Sequence, residues 1–96
     1  MRRHYFVTYD ICDAKRLRRV FKTMKGFGAH LQLSVFQCDL PEIDLVRMKA
    51  ALTEIIDPRE DQVLIIDLGS TESNPIKRIE SMGIKAELEE RRARIV

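Results

Sequence analysis

The chain has 96 residues, 45% of them hydrophobic, and a length of this order supports one compact domain with a single core. It has a formal net charge of +2 and no apolar run of the roughly 18 to 20 residues that a membrane-spanning helix needs, which excludes an integral membrane protein. No small-residue cleavage site follows the basic N-terminus, so the sequence predicts a cytoplasmic protein without a signal peptide. Cys12 and Cys38 lack metal-ligand spacing and are expected to be reduced and to be ordinary small buried residues.

Positive charge is concentrated in the first third of the chain. Residues 1–27 carry eight Lys or Arg and two Asp, a net charge of +6. Residues 28–96 carry nine basic and thirteen acidic residues, a net charge of −4. This asymmetry predicts a surface that binds a polyanion.

The first predicted elements are a strand and an amphipathic helix. The stretch YFVTYDI, residues 5–11, is rich in aromatic and β-branched residues and predicts a strand. Asp13 is a suitable N-cap for a helix that runs to about Lys25 and is ended by Gly26 and Gly28. An apolar stripe on this helix lies opposite a cationic face, formed by Lys15, Arg18, Arg19, Lys22 and Lys25.

The second half of the chain supplies more strands and a second helix. The segment AHLQLSVFQCDL, residues 29–40, alternates as a strand does and contains no turn dipeptide. A helix is predicted from Pro41 to before Pro58, and QVLIIDL predicts a strand closed by Gly69 and Ser70. A short helical turn follows, and the apolar end of the tail, ARIV, predicts a short edge strand. The order indicates an α+β sandwich with helices on one face of a small sheet.

Alternation divides the predicted sheet into two faces. On the first strand Tyr5, Val7, Tyr9 and Ile11 suit packing under the helices. The other face is expected to be open and to carry apolar groups, which predicts a covering partner, most simply a second copy related by a two-fold axis. The residues assigned to this open face are Phe6, Thr8 and Asp10 of the first strand and Ser34 and Phe36 of the middle one.

Four motifs together, YFVTYDI, RLRRVFKTMKGFG, LQLSVFQCDL and IKRIESMGIK, resemble the CRISPR-associated Cas2 family over nearly the whole chain. The resemblance implies a ferredoxin-like βαββαβ fold with an additional C-terminal strand that crosses to the neighbouring subunit. It also implies that residues 29–40 form a hairpin or one bent strand. Residues 1–96 would form one domain, with a core at 1–70 and an extension at 71–96 that contacts the partner. Members of the family are homodimers associated with spacer acquisition, in which the dimer lies between dimers of the Cas1 integrase. Several are metal-dependent endonucleases of single-stranded RNA or double-stranded DNA.

The family motif assigns roles to particular residues. Asp10 matches the magnesium-binding aspartate, and Tyr9 is its neighbour in the catalytic motif. His30 stands where many relatives have an arginine, which exchanges a permanent charge for one that titrates near pH 6.5. The predicted nucleic-acid-binding residues are Lys15, Arg16, Arg18, Arg19 and Lys22, and the predicted supporting or interface residues are Phe6, His30, Ser34 and Phe36.

Asp10 has two interpretations. Mg²⁺ prefers six oxygen ligands and keeps several waters, so two Asp10 carboxylates brought together by a two-fold axis form a plausible shared site. Such a metal would polarise a phosphoryl oxygen and generate hydroxide for attack on phosphorus. Alternatively, Asp10 merely ends the strand. For Phe36, packing in a dimer and stacking on a base are both open.

The predicted function is therefore that of a homodimeric, Mg²⁺-dependent endonuclease acting with the Cas1 integrase. No dedicated general acid or base is visible, and His4 and His30 are expected at the surface or at an interface, so hydrolysis should be slow and driven by metal. One alternative is a non-catalytic scaffold that bridges integrase dimers and holds DNA through its basic helices. Another is a toxin-like ribonuclease of the same fold.

Overall fold

The computed structural model describes residues 1–84, and the tail with its predicted edge strand lies outside this range. Four strands and two α-helices alternate in the order that the sequence predicts, and two 3₁₀ turns follow. The strands and helices are β1 (Arg2–Asp10), α1 (Ala14–Lys25), β2 (Ala29–Gln32), β3 (Val35–Pro41), α2 (Glu42–Thr53) and β4 (Gln62–Ser70), and the 3₁₀ turns are Thr71–Ser73 and Pro75–Arg78.

The four strands form one antiparallel sheet in the order β2-β3-β1-β4. β1 is therefore a central strand, paired with β3 along one side and with β4 along the other. Both helices pack on the same face of the sheet, where Tyr5, Val7 and Tyr9 of β1 are buried in the core. This architecture confirms the predicted ferredoxin-like α+β fold.

Helix α1 has the bounds that its sequence predicts. The Asp13 carboxylate accepts a hydrogen bond from the backbone amide of Arg16 at 3.0 Å, which satisfies one of the free N–H groups of the first turn. This bond lowers the pKa of Asp13 below its usual range. Val20 and Met24 are fully buried against the sheet, which turns the cationic face toward solvent.

The segment at residues 29–41 is a hairpin, and this corrects the predicted orientation of Phe36. Leu33 and Ser34 form the turn, with Gln32 opposite Val35. Phe36 lies opposite Val7 of β1 and is 0% exposed, packed on the helix side of the sheet. The prediction that Phe36 lies on the open face is wrong because the apolar stripe of β3 is Phe36, Cys38 and Leu40. Ser34 belongs to the turn rather than to a strand.

The face of the sheet away from the helices is partly covered by the chain itself. Phe6 lies on this face as predicted, opposite Gln37 and Ile66, but it borders a groove of about 420 Å³ whose other wall belongs to residues 79–84. His4, expected at the surface or at an interface, is 1% exposed. Cys38 is buried as predicted, but the prediction that Cys12 is buried is wrong, because it lies exposed in the loop after β1. Leu64 and Ile66 of β4 remain 49% and 45% exposed. The open face is therefore apolar but narrower than the sequence predicts.

Helix α2 is shorter than predicted. It ends at Thr53. The turn that follows is tighter than an α-helical turn, because the Ile55 amide donates to the carbonyl of Leu52, three residues earlier, at 3.0 Å. Ile55 still packs in the core from this turn. Within residues 1–84, neither this helix nor any other is long and apolar enough to cross a membrane.

Candidate nucleic-acid and metal site

The candidate site lies at the end of β1, where several elements meet. Asp10 is the last residue of β1 and pairs in register with Gln62, the first residue of β4. The carbonyl oxygen of Ser34 accepts a hydrogen bond from the Tyr9 amide at 3.1 Å, which places the β2–β3 turn beside the same end. Helix α1 begins four residues after Asp10, so its first turn belongs to this region as well.

Asp10 has the exposure and the freedom that a metal ligand requires. It lies on the face away from the helices, as alternation along β1 predicts, and it is exposed. Its carboxylate makes no hydrogen bond and no ion pair to any residue between 1 and 84. It is therefore available to an external cation or to a second chain.

Tyr9 occupies the opposite face of the same strand. Its ring is 6% exposed and packs against Phe36, with ring centroids 6.2 Å apart. Burial raises the pKa of the Tyr9 hydroxyl above its usual value, so this group stays protonated at neutral pH. The structure does not bring the Tyr9 ring and the Asp10 carboxylate together, and a catalytic role for Tyr9 stays a prediction.

A buried ion pair holds the loop that follows Asp10. The Arg16 guanidinium donates two hydrogen bonds to Asp61, from Nε at 2.7 Å and from one terminal nitrogen at 3.1 Å. The same carboxylate accepts the backbone amides of Cys12 at 2.9 Å and Asp57 at 2.8 Å. Asp61 thus joins the β1–α1 loop to the loop before β4.

The surroundings of Asp61 keep it charged. Its side chain is 0% exposed, whereas that of Arg16 is 23% exposed. Hydrogen bonds from Arg16 hold the pKa of Asp61 well below its usual range, against the effect of burial. The Asp61 carboxylate accepts four hydrogen bonds in all, so it is a satisfied charge rather than a carboxylate free to bind a metal.

Solvent-exposed cations remain on α1 after the ion pairs are considered. Arg2 and Arg3, which contribute to the charge of the first third, pair with Asp39 and Asp67 at 3.0 Å each. Arg16 is likewise engaged, so its predicted contact with nucleic acid would have to compete with Asp61. Four of the predicted nucleic-acid-binding residues lie on the cationic face, are exposed and form no ion pair within residues 1–84: Lys15, Arg18, Arg19 and Lys22.

His30 makes its contacts within and behind the β2–β3 hairpin. Its Nε2 lies 3.0 Å from the Leu33 carbonyl oxygen, across the β2–β3 turn. Its ring contacts Phe21 edge-on at 4.9 Å and Phe36 at 5.0 Å between centroids. These contacts stabilise the Leu33–Ser34 turn, and the Ser34 carbonyl oxygen of this turn accepts the hydrogen bond from the Tyr9 amide.

Comparison with known proteins identifies the family. Residues 2–75 match the family model described as CRISPR associated protein Cas2. The chain belongs to the Cas2 family. It is 53% identical over 79 residues to the CRISPR-associated endoribonuclease Cas2 of Geobacter sulfurreducens, covering 82% of each chain. It is 48% identical over 92 residues to the CRISPR-associated endoribonuclease Cas2 1 of Rhodospirillum rubrum, covering 96% of this chain and 89% of that one.

Solved structures of Cas2 proteins share the fold. The crystal structure of Streptococcus pyogenes Cas2 at pH 6.5 superposes with a TM-score of 0.74 at 35% identity, covering 83% of this chain and 99% of that one. A hypothetical protein of Thermus thermophilus superposes with a TM-score of 0.78 at 28% identity, covering 92% and 98% of the two chains. The βαββαβ arrangement predicted from the Cas2 motifs is thus confirmed.

The fit of this Cas2 protein to a divalent cation depends on Asp10. Across the described residues, no group of three or more His, Cys, Asp or Glu side chains converges. Residues 1–84 of one chain therefore offer a single free carboxylate at the end of β1, and water, a phosphate or a second chain would have to supply the other ligands of a bound cation. That donor set suits Mg²⁺, which keeps several waters and accepts one or two carboxylates.

Asp61 was missed by sequence reasoning. It lies in a charged loop, and its partner Arg16 belongs to the helix that was assigned to nucleic acid. In the sequence, Asp61 is only an Asp directly before an apolar strand. Aspartates in this position are common in solvated loops, so the pattern does not indicate an ion pair with a buried carboxylate.

Proposed function

We propose that this protein is a homodimeric, metal-dependent endonuclease that cleaves phosphodiester bonds of nucleic acid during CRISPR spacer acquisition. The observation that carries the proposal is Asp10, an exposed carboxylate without a partner in residues 1–84, at the end of a strand adjoining a cationic helix. The names of the relatives at 53% and 48% identity favour RNA as the first substrate to examine. The remaining alternative substrate is double-stranded DNA.

A second copy of the chain completes the proposed site. Leu64 and Ile66 leave apolar area exposed on the same face as Asp10, and burying it against a partner would stabilise a dimer. A two-fold axis on this face would bring two Asp10 carboxylates together. Residues 71–96 are proposed to contribute to the contact between subunits.

Mg²⁺ is the proposed cofactor, with Asp10 of each subunit as its protein ligand. When bound, it would supply Lewis-acid activation of the phosphodiester and of water. The residues of the chain itself bind and orient the nucleic acid. Lys15, at the start of the cationic face, is the cation of that face closest in sequence to Asp10, and the Ser34 turn borders the same end of the sheet.

Metal removal tests the nuclease activity directly. Highly purified protein is expected to cleave a labelled single-stranded RNA in Mg²⁺, to lose this activity in EDTA, and to regain it when Mg²⁺ is restored. The same series on a DNA duplex identifies the substrate. Cleavage that persists in EDTA, or that separates from the protein peak on a sizing column, would contradict the proposal.

A scaffold that bridges Cas1 integrase dimers is the second candidate function. The cationic face of α1 favours it, because four exposed cations without ion pairs in the described part of the chain suit contacts with a phosphate backbone. In this case the DNA is held rather than cut, and Asp10 is dispensable for spacer acquisition.

Neutralising the cationic face is expected to weaken duplex binding at least about 100-fold at low salt. Each lost phosphate contact removes about 0.9 from the slope of log K against log salt. Removing like charges spaced three and four apart leaves the helix unchanged or slightly more stable. The substituted residues, each changed to Gln, are Lys15, Arg18, Arg19 and Lys22.

A matched control removes the same charge elsewhere. Four exposed cations outside α1 are changed to Gln, so that the net charge falls equally while the cationic face stays intact. Fluorescence anisotropy against salt concentration measures both proteins. Equal weakening by both would show that net charge, not this face, governs binding. The control residues are Arg47, Lys49, Arg59 and Lys77.

A further inference from the structure

We propose that Asp61 is a positioning residue for the Asp10 site. The inference rests on the proposed function of Asp10. Asp61 lies outside the family motifs, and its proposed role is to hold the Asp10 site in position relative to α1. Asp61 contacts neither metal nor nucleic acid in this proposal. It acts through the two segments that its carboxylate holds together.

The first segment is the loop immediately after Asp10. Cys12 Nα donates to one Asp61 oxygen at 2.9 Å, and the Cys12 thiol reaches the Glu60 carbonyl at 3.0 Å. The Asp61 carboxylate therefore determines where the backbone goes two residues beyond the proposed metal ligand. On the other flank, Asp61 directly precedes Gln62, which pairs with Asp10 in register. Asp61 thus holds the residue two positions after Asp10 through its side chain and directly precedes the residue that pairs with Asp10.

The second segment is the first turn of α1. Arg16 donates from two nitrogens to the two oxygens of Asp61, a bidentate arrangement that sets the direction of the guanidinium as well as its distance. Lys15 precedes Arg16 and opens the cationic face. Asp61 therefore fixes the position of the cationic face relative to Asp10. This relative position determines whether a phosphate bound by the cations reaches the Asp10 carboxylate.

A carboxylate is suited to this task because its partners are all donors. The Asp61 side chain is 0% exposed, so water has no direct access to replace a lost hydrogen bond. Displacements of about 1 Å in a site of this kind lower rates by about 100-fold, and loss of a supporting hydrogen bond behind a metal ligand costs about 10- to 100-fold.

Asp61→Asn is the test, because it keeps the shape and removes one acceptor. We expect kcat for Mg²⁺-dependent cleavage to fall about 10- to 100-fold with little change in KM, since Arg18, Arg19 and Lys22 still bind substrate. Amide hydrogen exchange is expected to accelerate at residues 11–16 and at Asp57, whose amide also donates to Asp61, and not in the rest of the described chain. A merely structural role would lower the unfolding temperature but leave kcat unchanged below it, and unchanged kcat in folded protein overturns the proposal.

Asp67→Asn is the matched control at the other end of β4. Asp67 also pairs with an arginine, Arg3, and also accepts a backbone amide, from Gly69 at 2.8 Å, although it is half exposed. Its loss is expected to leave kcat and the exchange of residues 11–16 unchanged. An equal fall in kcat for both variants would overturn the proposal.

If the Asp61→Asn variant does not fold, Arg16→Lys provides a second test of the proposal. Lysine keeps the positive charge for nucleic acid but cannot make the bidentate contact. Reduced kcat with unchanged affinity for nucleic acid supports positioning, and unchanged kcat overturns it.

If the wild-type protein shows no metal-dependent cleavage, the proposed nuclease function fails by itself. Positioning is then decided by hydrogen exchange in Asp61→Asn, where unchanged protection of the Cys12 amide overturns it and faster exchange limited to residues 11–16 and Asp57 supports it.

Discussion

Asp10→Ala is expected to lower metal-dependent cleavage by about 1000-fold or more while leaving the folded state intact. The rate falls because the proposed metal loses its protein ligand, and an effect of several kcal/mol on the transition state corresponds to a factor of this size. Stability should not fall, because the Asp10 carboxylate makes no hydrogen bond within residues 1–84. Single-turnover cleavage of RNA and urea unfolding measure the two quantities.

Glu54→Ala provides the control for removal of a surface carboxylate. Glu54 is exposed at the end of α2, on the helix side of the sheet, and its loss should affect neither cleavage nor stability. Full cleavage by Asp10→Ala would show that another site cuts or that a contaminating nuclease is present.

Subunit mixing extends the Asp10 experiment to the shared site. If two Asp10 carboxylates hold one metal, wild-type protein should lose activity after subunit exchange with an excess of Asp10→Ala, because mixed dimers contain one carboxylate. If each subunit works alone, the activity per wild-type subunit stays constant. Spacer acquisition in cells with Asp10→Ala then separates the functions, since only the nuclease proposal predicts its loss.

Gly28→Ala is expected to destabilise the fold by about 3 kcal/mol or more, the largest effect on stability that we predict. A Cβ on Gly28 would lie 2.4 Å from the Gln37 carbonyl oxygen and 2.6 Å from Cys38 Sγ. Both atoms belong to β3 in the centre of the molecule, so neither can move without disturbing the sheet. The backbone between α1 and β2 passes directly over β3 here, and space rather than backbone conformation excludes a side chain.

Gly26→Ala is the matched control for Gly28→Ala. Gly26 caps the same helix with φ of −82°, which any residue adopts, and its added Cβ would lie 3.3 Å from the Thr23 carbonyl oxygen. Its effect on stability should remain within about 1 kcal/mol. Urea unfolding of both variants provides the comparison, and similar midpoints for the two would contradict the predicted close approach.

Local sequence signals predicted much of the fold. The N-cap at Asp13, the apolar stripe through Val20 and Met24, and the alternation of β1 concern residues within a few positions of one another, and the structure follows them. The family motifs supplied the hairpin. The position of Asp10 on the face away from the helices also followed from alternation alone.

The errors arose where a residue's surroundings come from distant parts of the chain. The Leu33–Ser34 turn contains no Gly, Asn or Asp, so the alternation appeared to continue through it and Phe36 was assigned to the wrong face. Arg16 was grouped with the free cations because its partner Asp61 lies 45 positions away. The cover that residues 79–84 give to Phe6 depends likewise on a return of the chain that no local pattern indicates.

The central position of β1 has a consequence for synthesis on the ribosome. Its two neighbours are β3 and β4, so a nascent chain that stops before Gln62 contains a central strand with one side unpaired. The same incomplete chain lacks Asp61, and Arg16 then has no buried carboxylate to hold it. Long-range pairing of this kind forms late because the intervening chain must first be ordered. The protein therefore completes the Asp10 end of its sheet only after β4 has been translated, and chains interrupted earlier present β1 as an edge open to aggregation.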